Sequence, residues 1–301
     1  MNWTNIAILS AAIFGVINVI DSHLLAKRMP SLRAFLLPLV FIHTFYGLVF
    51  LYLFPFPGGI GWWPLTAAFG SATIRLSGAI VMLHYMKKEE VSRVIPIVYS
   101  YPIFVALIAM PLLGESLSYA QWLAIVVVVA GAVVVSFRQS PFGSTHWLGR
   151  SFFALVGASL LFALADIGSK YALGYISFWN MFSVNAFCIA GVFAAVSLRP
   201  RIFRQLKNMK NRNRTLGLQM FNETLTPIAI TTSYWALAKG PVSLVSTLVS
   251  TRPIFVVIYA LVLGRFLPEF LVKSPASRVM TVLRLAAIAM IVGGIALIYR
   301  S

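Results

Sequence analysis

Six ionisable side chains, Asp21, Arg75, Asp166, Lys170, Glu223 and Arg252, stand inside runs of apolar residues long enough to cross a bilayer. A charge at membrane depth costs about 2.5–3.5 kcal/mol on the insertion scale, so each of them asks for a reason. Their mixed signs fit either internal ion pairing or a ligand that carries negative charge, alone or in a zwitterion. Bond-making chemistry is not encoded alongside them. The chain has no Gly-rich phosphate loop followed by Lys-Ser/Thr, no His-Glu-x-x-His and no Gly-x-Ser-x-Gly. The lone Cys188 excludes an internal disulfide framework and a cysteine-rich zinc site. No cofactor, no metal and no catalytic residue is expected; the expected chemistry is recognition.

Arg252 is the leading substrate-binding candidate. It precedes Pro253, whose missing amide donor frees a carbonyl in the preceding turn and tends to kink a helix. The competing reading pairs it structurally with Glu223. Arg75 shares a helix face with Ser71 one turn earlier, and Asn222 and Glu223 occupy corresponding positions in the second half of the chain. Arg75, Tyr101, Asn222, Glu223 and Arg252 therefore form the expected substrate site. Asp166 and Lys170 are four residues apart in the acid-first order that suits a helix ion pair, and a mutually neutralised structural pair is expected there. Asp21, with Asn18 three residues before it, marks a coupling or gating position, since a carboxylate at that depth could carry protons. A solvated helix end beside Lys27 is the other reading of Asp21. His43, Asn180 and Asn185 read as interhelical hydrogen-bonding groups. His84, Tyr85, Tyr234 and Trp235 read as interfacial aromatic anchors.

The elements that must position these residues are membrane helices. Of the 301 residues, 60% are apolar and only 10% charged, and the mean hydropathy is +0.89. A soluble domain carries about 25% charged residues, so a cytosolic enzyme is excluded. Continuous rather than alternating apolar runs indicate helices and not a barrel. Ten segments emerge, at about 4–26, 33–54, 63–86, 93–113, 118–137, 148–173, 177–198, 216–238, 242–264 and 281–299. The glycine-rich run from Pro57 to Gly61 and the polar run from Arg199 to Thr215 are the clearest breaks. No cleaved signal peptide is expected, because basic residues are missing ahead of the first apolar run.

The formal net charge of +17 invites a nucleic-acid reading, but the basic residues sit in short loops. Odd-numbered loops hold 19 of them, against two in the even-numbered loops and termini. The positive-inside rule then puts both termini on the non-cytosolic side of what is expected to be the cell membrane. Anionic lipid headgroups are the natural partners of those loops; nucleic acid is not.

An internal repeat organises the chain. Val91 to Val105 aligns without gaps to Val242 to Val256, an offset of 151 residues, with eight of fifteen positions identical. Lys88 and Lys239 precede the two copies, and Leu113-Gly114 and Leu263-Gly264 follow them. Ala130-Gly131 resembles Gly293-Gly294, after an insertion of about a dozen residues between Phe266 and Met280. At Tyr101 and Arg252 the copies offer a hydroxyl and a cation, an asymmetry suited to a polar, non-symmetric ligand. Five spans per copy is an odd number, so the second copy must be inverted. Inverted repeats are the hallmark of secondary transporters that bind substrate between the repeats.

The stretch Ser100-Tyr101-Pro102-Ile103-Phe104, then Leu113-Gly114-Glu115-Ser116-Leu117, Gln121 and Gly131, resembles the EamA repeat of the drug/metabolite transporter superfamily. The second copy keeps Thr251-Arg252-Pro253-Ile254-Phe255 and Leu263-Gly264 but has no adjacent glutamate; Glu269 follows beyond a proline. The resemblance implies an all-α membrane protein, ten transmembrane helices in two inverted five-helix repeats around a central cavity. The repeats would span 1–140 and 141–301. It implies no particular substrate; with the intramembrane charges, the expected function is a secondary active transporter that exports a small anionic or zwitterionic metabolite by alternating access. A flippase for a lipid-linked sugar or lipid phosphate is the alternative, suggested by the basic Arg199–Arg214 loop. A membrane-embedded enzyme would need two catalytic groups at one depth, which Asp21 and Asp166 do not provide. Small-residue faces would serve a homodimer or intramolecular packing equally well.

Overall fold

The computed structural model describes residues 2–86, 91–136, 150–266 and 278–300. Among them the chain is helical throughout: α1 (Trp3–His23), α2 (Leu32–Leu53), α3 (Trp62–Met86), α4 (Val91–Val98), α5 (Tyr101–Leu113), α6 (Tyr119–Ser136), α7 (Arg150–Ala172), α8 (Phe178–Ser197), α9 (Pro200–Lys207), α10 (Arg212–Lys239), α11 (Val242–Val249), α12 (Arg252–Phe266) and α13 (Arg278–Arg300). A π-helical turn, Leu24–Arg28, extends α1. Six described segments are long and apolar enough to cross a membrane: Trp3–Arg28, Leu32–Leu53, Trp62–Tyr85, Arg150–Ala172, Phe178–Ser197 and Val242–Tyr259. Three shorter apolar helices accompany them, Tyr101–Leu113, Tyr119–Val134 and Leu285–Arg300. The 28-residue α10 has the length to cross but carries Asn222, Glu223 and several threonines along it.

Local chemistry sets the helix starts. The Asn2 side chain accepts from the Thr4 amide, Ser31 from Ala34, and Ser177 from Asn180, each satisfying an orphan donor of a first turn. Ser118 and Gln121 form a reciprocal capping box ahead of α6. Gly114, at φ 67°, ends α5 in the left-handed conformation that glycine adopts without steric cost.

The repeat is written into the backbone. Each expected long segment in the aligned region is two helices, α4–α5 and α11–α12, broken at equivalent positions. The Tyr99 and Ser250 amides donate four residues back, to Ile95 and Ser246, while Ser100 and Thr251 donate three back, to Ile97 and Leu248. The Ser100 and Thr251 hydroxyls bond the same two carbonyls, at 2.7 and 2.6 Å. A proline follows one residue into α5 and α12, where its missing amide costs nothing. Pro38, by contrast, lies inside an unbroken α2. The packing has the same exchange symmetry. α3 lies on α7 as α1 lies on α10, α5 packs against α7 as α12 does against α1, and the pairs α2–α8 and α6–α13 map onto themselves.

The basic Arg199–Thr215 run contains more structure than the sequence suggests. α9 buries Ile202 against Ala34 and Leu37 of α2, and α10 begins at Arg212, one turn earlier than expected. Lys88, Glu269 and most of the Phe266–Met280 insertion lie outside the described residues.

The α6–α13 crossing brings two backbones close together at glycines. A β-carbon added at Gly131 would lie 2.7 Å from Ile291 Cγ1 and 2.9 Å from the Ala287 carbonyl, and Gly294 faces the Ala124 carbonyl and Val128 in the same way. Without a hydrophobic drive between helices in lipid, such backbone approach carries the association. The Gly131→Val variant is therefore expected to lose about 1–3 kcal/mol, read as a lowered melting temperature in detergent. An unchanged melting temperature would remove this crossing from the account.

Candidate functional site

A cavity of about 330 Å³ sits where α1, α3, α7, α8 and α10 meet the two broken helices. Its walls come from related positions of both halves. Phe14 and Asn18 of α1 are matched by Phe162 and Asp166 of α7, each pair at an offset of 148 residues. Val98 and Tyr101 are matched by Val249 and Arg252 at the 151-residue offset, and Ala79 by Ile230. Most of the remaining wall is aliphatic or aromatic.

Three charged side chains line the cavity: Arg75, Asp166 and Arg252. Arg75 Nη2 donates to Asp166 Oδ1 at 2.6 Å, and the Ser246 hydroxyl donates to the other Asp166 oxygen. The Asp166 side chain is 9% exposed and the Arg75 side chain 28%, and both line the cavity wall. Tyr101 Oη donates to the Ser246 carbonyl at 3.3 Å, tying α5 to α11. Arg252 is different. Its guanidinium carbon lies 3.7 Å above the Phe14 ring, a cation–π contact, and its buried Nε has no hydrogen-bond partner among the described residues. It does not pair with Glu223.

The expected Asp166–Lys170 pair is not formed, because both groups have better-placed partners across helix interfaces. Asp166 turns to Arg75 on α3. Lys170 Nζ donates to the carbonyls of Leu237, Ala238 and Gly240, at 2.8, 3.3 and 2.8 Å, using its three protons on the C-terminal end of α10. Glu115 completes the same junction from the other side. Its carboxylate accepts the amides of Val242 and Ser243 and the Ser243 hydroxyl at the start of α11. The Leu-Gly-Glu stretch thus places an anion on a helix N-terminus of the other half of the chain.

Asn222 and Glu223 do not line the cavity. They sit with Asp21 in a second polar group: Asn222 Nδ2 donates to Asp21 Oδ1 at 2.7 Å, and Glu223 is 4% exposed with one carboxylate oxygen lacking a hydrogen bond among the described residues. Asp21 follows the cavity residue Asn18 by three positions and Glu223 precedes the cavity residue Ile230 by seven, so the group lies about one to two turns along the bundle. Asn18 itself faces the cavity. Tyr234, read from the sequence as an interfacial anchor, is 4% exposed and lines the cavity too. His43 bonds its own helix at Leu39 and meets Phe193 edge-on, rather than bridging helices by hydrogen bond. Asn180 does bridge, donating to the Phe54 carbonyl at 2.5 Å. Asn185 lines the cavity.

The sequence resemblance implied a helical membrane protein with a central cavity; the described residues are largely helical and enclose such a cavity. Residues 2–137 match the model of the EamA-like transporter family. The first half of the chain is EamA-like. A solved structure, described only as a crystal structure of a protein, superposes with a TM-score of 0.69 at 17% identity, covering 98% of this chain and 97% of its own. At that identity it shows the fold. No curated protein matches the sequence. EamA-type proteins are membrane transporters, and the apolar helices of this chain fit a multi-pass membrane protein. Asp21 and Asp166 lie in two separate polar groups.

Proposed function

We propose that this EamA-type chain is a ten-helix secondary transporter, built of two inverted repeats at 1–140 and 141–301, that exports a small organic anion or zwitterion by alternating access. The observation that carries the reading is the central cavity, lined by equivalent positions of both halves and holding an arginine with no carboxylate partner among the described residues. Inverted halves around one shared site are what a rocking mechanism requires. Arg252 is the anion-binding group, and Tyr101, Asn18, Asn185 and Tyr234 orient the ligand. Arg75 presents its outer face while Asp166 holds it. Exposed Tyr52, Trp62, Trp63, Tyr119 and Tyr175 fall at helix ends that an alternating traverse puts on the same side as the N-terminus. They form an aromatic belt there, with the basic ends and α9 facing anionic headgroups of the cytosolic leaflet.

Reconstituted vesicles test this directly. Radiolabelled organic anion should exchange into vesicles preloaded with the same compound and be recovered chemically unchanged. Conversion of the label without exchange would support an enzyme instead.

Asp21 and Glu223 supply the coupling site in this reading. A half-buried carboxylate, Asp21, and a buried one, Glu223, whose second oxygen has no hydrogen bond among the described residues, can take up a proton as the substrate site empties. Uptake driven by an imposed pH gradient should fall to the protein-free level in the Glu223→Gln variant, while substrate–substrate exchange persists. Transport that ignores the gradient in the native protein removes the proton from the mechanism.

A further inference from the structure

The charge and wall chemistry of the cavity narrow its ligand beyond an organic anion, on the reading that this cavity is the transport site. We infer that the cavity selects a monovalent, amphiphilic organic anion, a carboxylate or its equivalent on an apolar body, over dianions and over amino-acid zwitterions.

Of the three charged residues lining the space, Arg75 is neutralised by Asp166 at 2.6 Å. Arg252 has no carboxylate partner among the described residues and stacks on Phe14 instead. The cavity therefore presents one net positive charge. A ligand of one negative charge closes the balance. A phosphate monoester in its doubly charged form would leave a negative charge unmatched in a place where desolvating it is costly.

The same accounting disfavours an ammonium group. Both Asp166 oxygens are committed, one to Arg75 and one to Ser246, so the lining offers no free carboxylate to receive it. The walls specify the rest of the ligand. Phe14, Phe162, Ile189, Ile230, Val245 and Val249 give a ligand's body apolar contact, and Asn18, Asn185, Tyr101 and Tyr234 are left to orient its head, so a sugar with hydroxyls all round would lose hydrogen bonds to water on its apolar side. Arg252 lies against the Phe14 ring, so an anion bound there has its apolar body beside an aromatic face.

A matched series on one phenylethyl body tests this with the full-length protein in detergent, at a pH where the phosphate is doubly charged. The compounds are hydrocinnamate, hydrocinnamamide, phenylalanine and phenethyl phosphate, each titrated by calorimetry. Hydrocinnamate should bind at least about tenfold more tightly than the other three. In Arg252→Gln the acid and amide should become equal, and in Arg252→Lys, which keeps the charge, the preference for the acid should return. If Arg252→Gln does not fold, the native series and the lysine variant still decide. Equal or tighter binding of phenylalanine or phenethyl phosphate overturns the inference, as does no binding of any of the four, or an acid preference that survives Arg252→Gln. Vesicle exchange separates the two levels. Hydrocinnamate that binds but does not exchange would leave the selectivity intact and refute transport. Exchange of the phosphate or the amino acid in preference to the acid would leave transport intact and refute the selectivity.

Discussion

Arg252→Gln is expected to cut substrate exchange roughly a hundredfold, equivalent to ~2.7 kcal/mol, without lowering the stability of the ligand-free protein. The two halves of that expectation come from one observation. The guanidinium is held by the Phe14 ring and by no carboxylate among the described residues, with Nε buried and unbonded. A residue kept for structure would be paired, and its removal would strand a partner. Removing this one strands nothing, so the melting temperature should hold or rise while function is lost. Melting curves and exchange assays on the same preparation check both halves. A lowered melting temperature with exchange intact would make Arg252 a structural residue.

Asp166 should behave in the opposite sense. Asp166→Asn leaves Arg75 without its counter-ion, a loss of about 2–3 kcal/mol; the cost is below that of a fully buried pair because Arg75 is 28% exposed at the cavity. Most of it should return in the Arg75→Gln/Asp166→Asn double variant, since neither side is then left charged alone. The single variant should also change selectivity. With Asp166 neutral, the cavity carries two uncompensated cations, and doubly charged phenethyl phosphate should overtake hydrocinnamate. Thermal melts and calorimetry read the two effects separately. A destabilised variant with unaltered ligand order would confine Asp166 to a structural role, and an unaltered melting temperature would deny the pair its role in the fold.

The helix breaks were legible in the sequence because the aligned segments share them. A gapless 151-residue offset around Pro102 and Pro253 was readable as a repeat, and the same residues break α4–α5 and α11–α12 with identical backbone bonding. What lay beyond it was pairing across helices. Arg75 and Asp166 are 91 residues apart and Lys170 and Leu237 are 67 apart, so no local spacing rule could join them. The i to i+4 rule favoured Asp166 with Lys170, and the packing of α7 between α3 and α10 overrode it. For Glu223 the helix face was legible and the depth was not. Glu223, Ile230, Tyr234 and Leu237 follow one helical stripe, but only the last three reach the cavity. Tyr234 looked like an interfacial anchor because it stands near a helix end; Lys170, holding that end of α10 from α7, keeps it inside the protein.

The central claim is that both halves of the chain share one cavity that opens to each side of the membrane in turn. A single cysteine at Ser233, which lines the cavity, in a Cys188→Ala background tests it most directly. Membrane-impermeant thiol reagent would be applied to either face of sealed, uniformly oriented vesicles. The account predicts labelling from both faces, with bound substrate changing the two rates in opposite directions. Labelling from one face alone, with and without substrate, would contradict it.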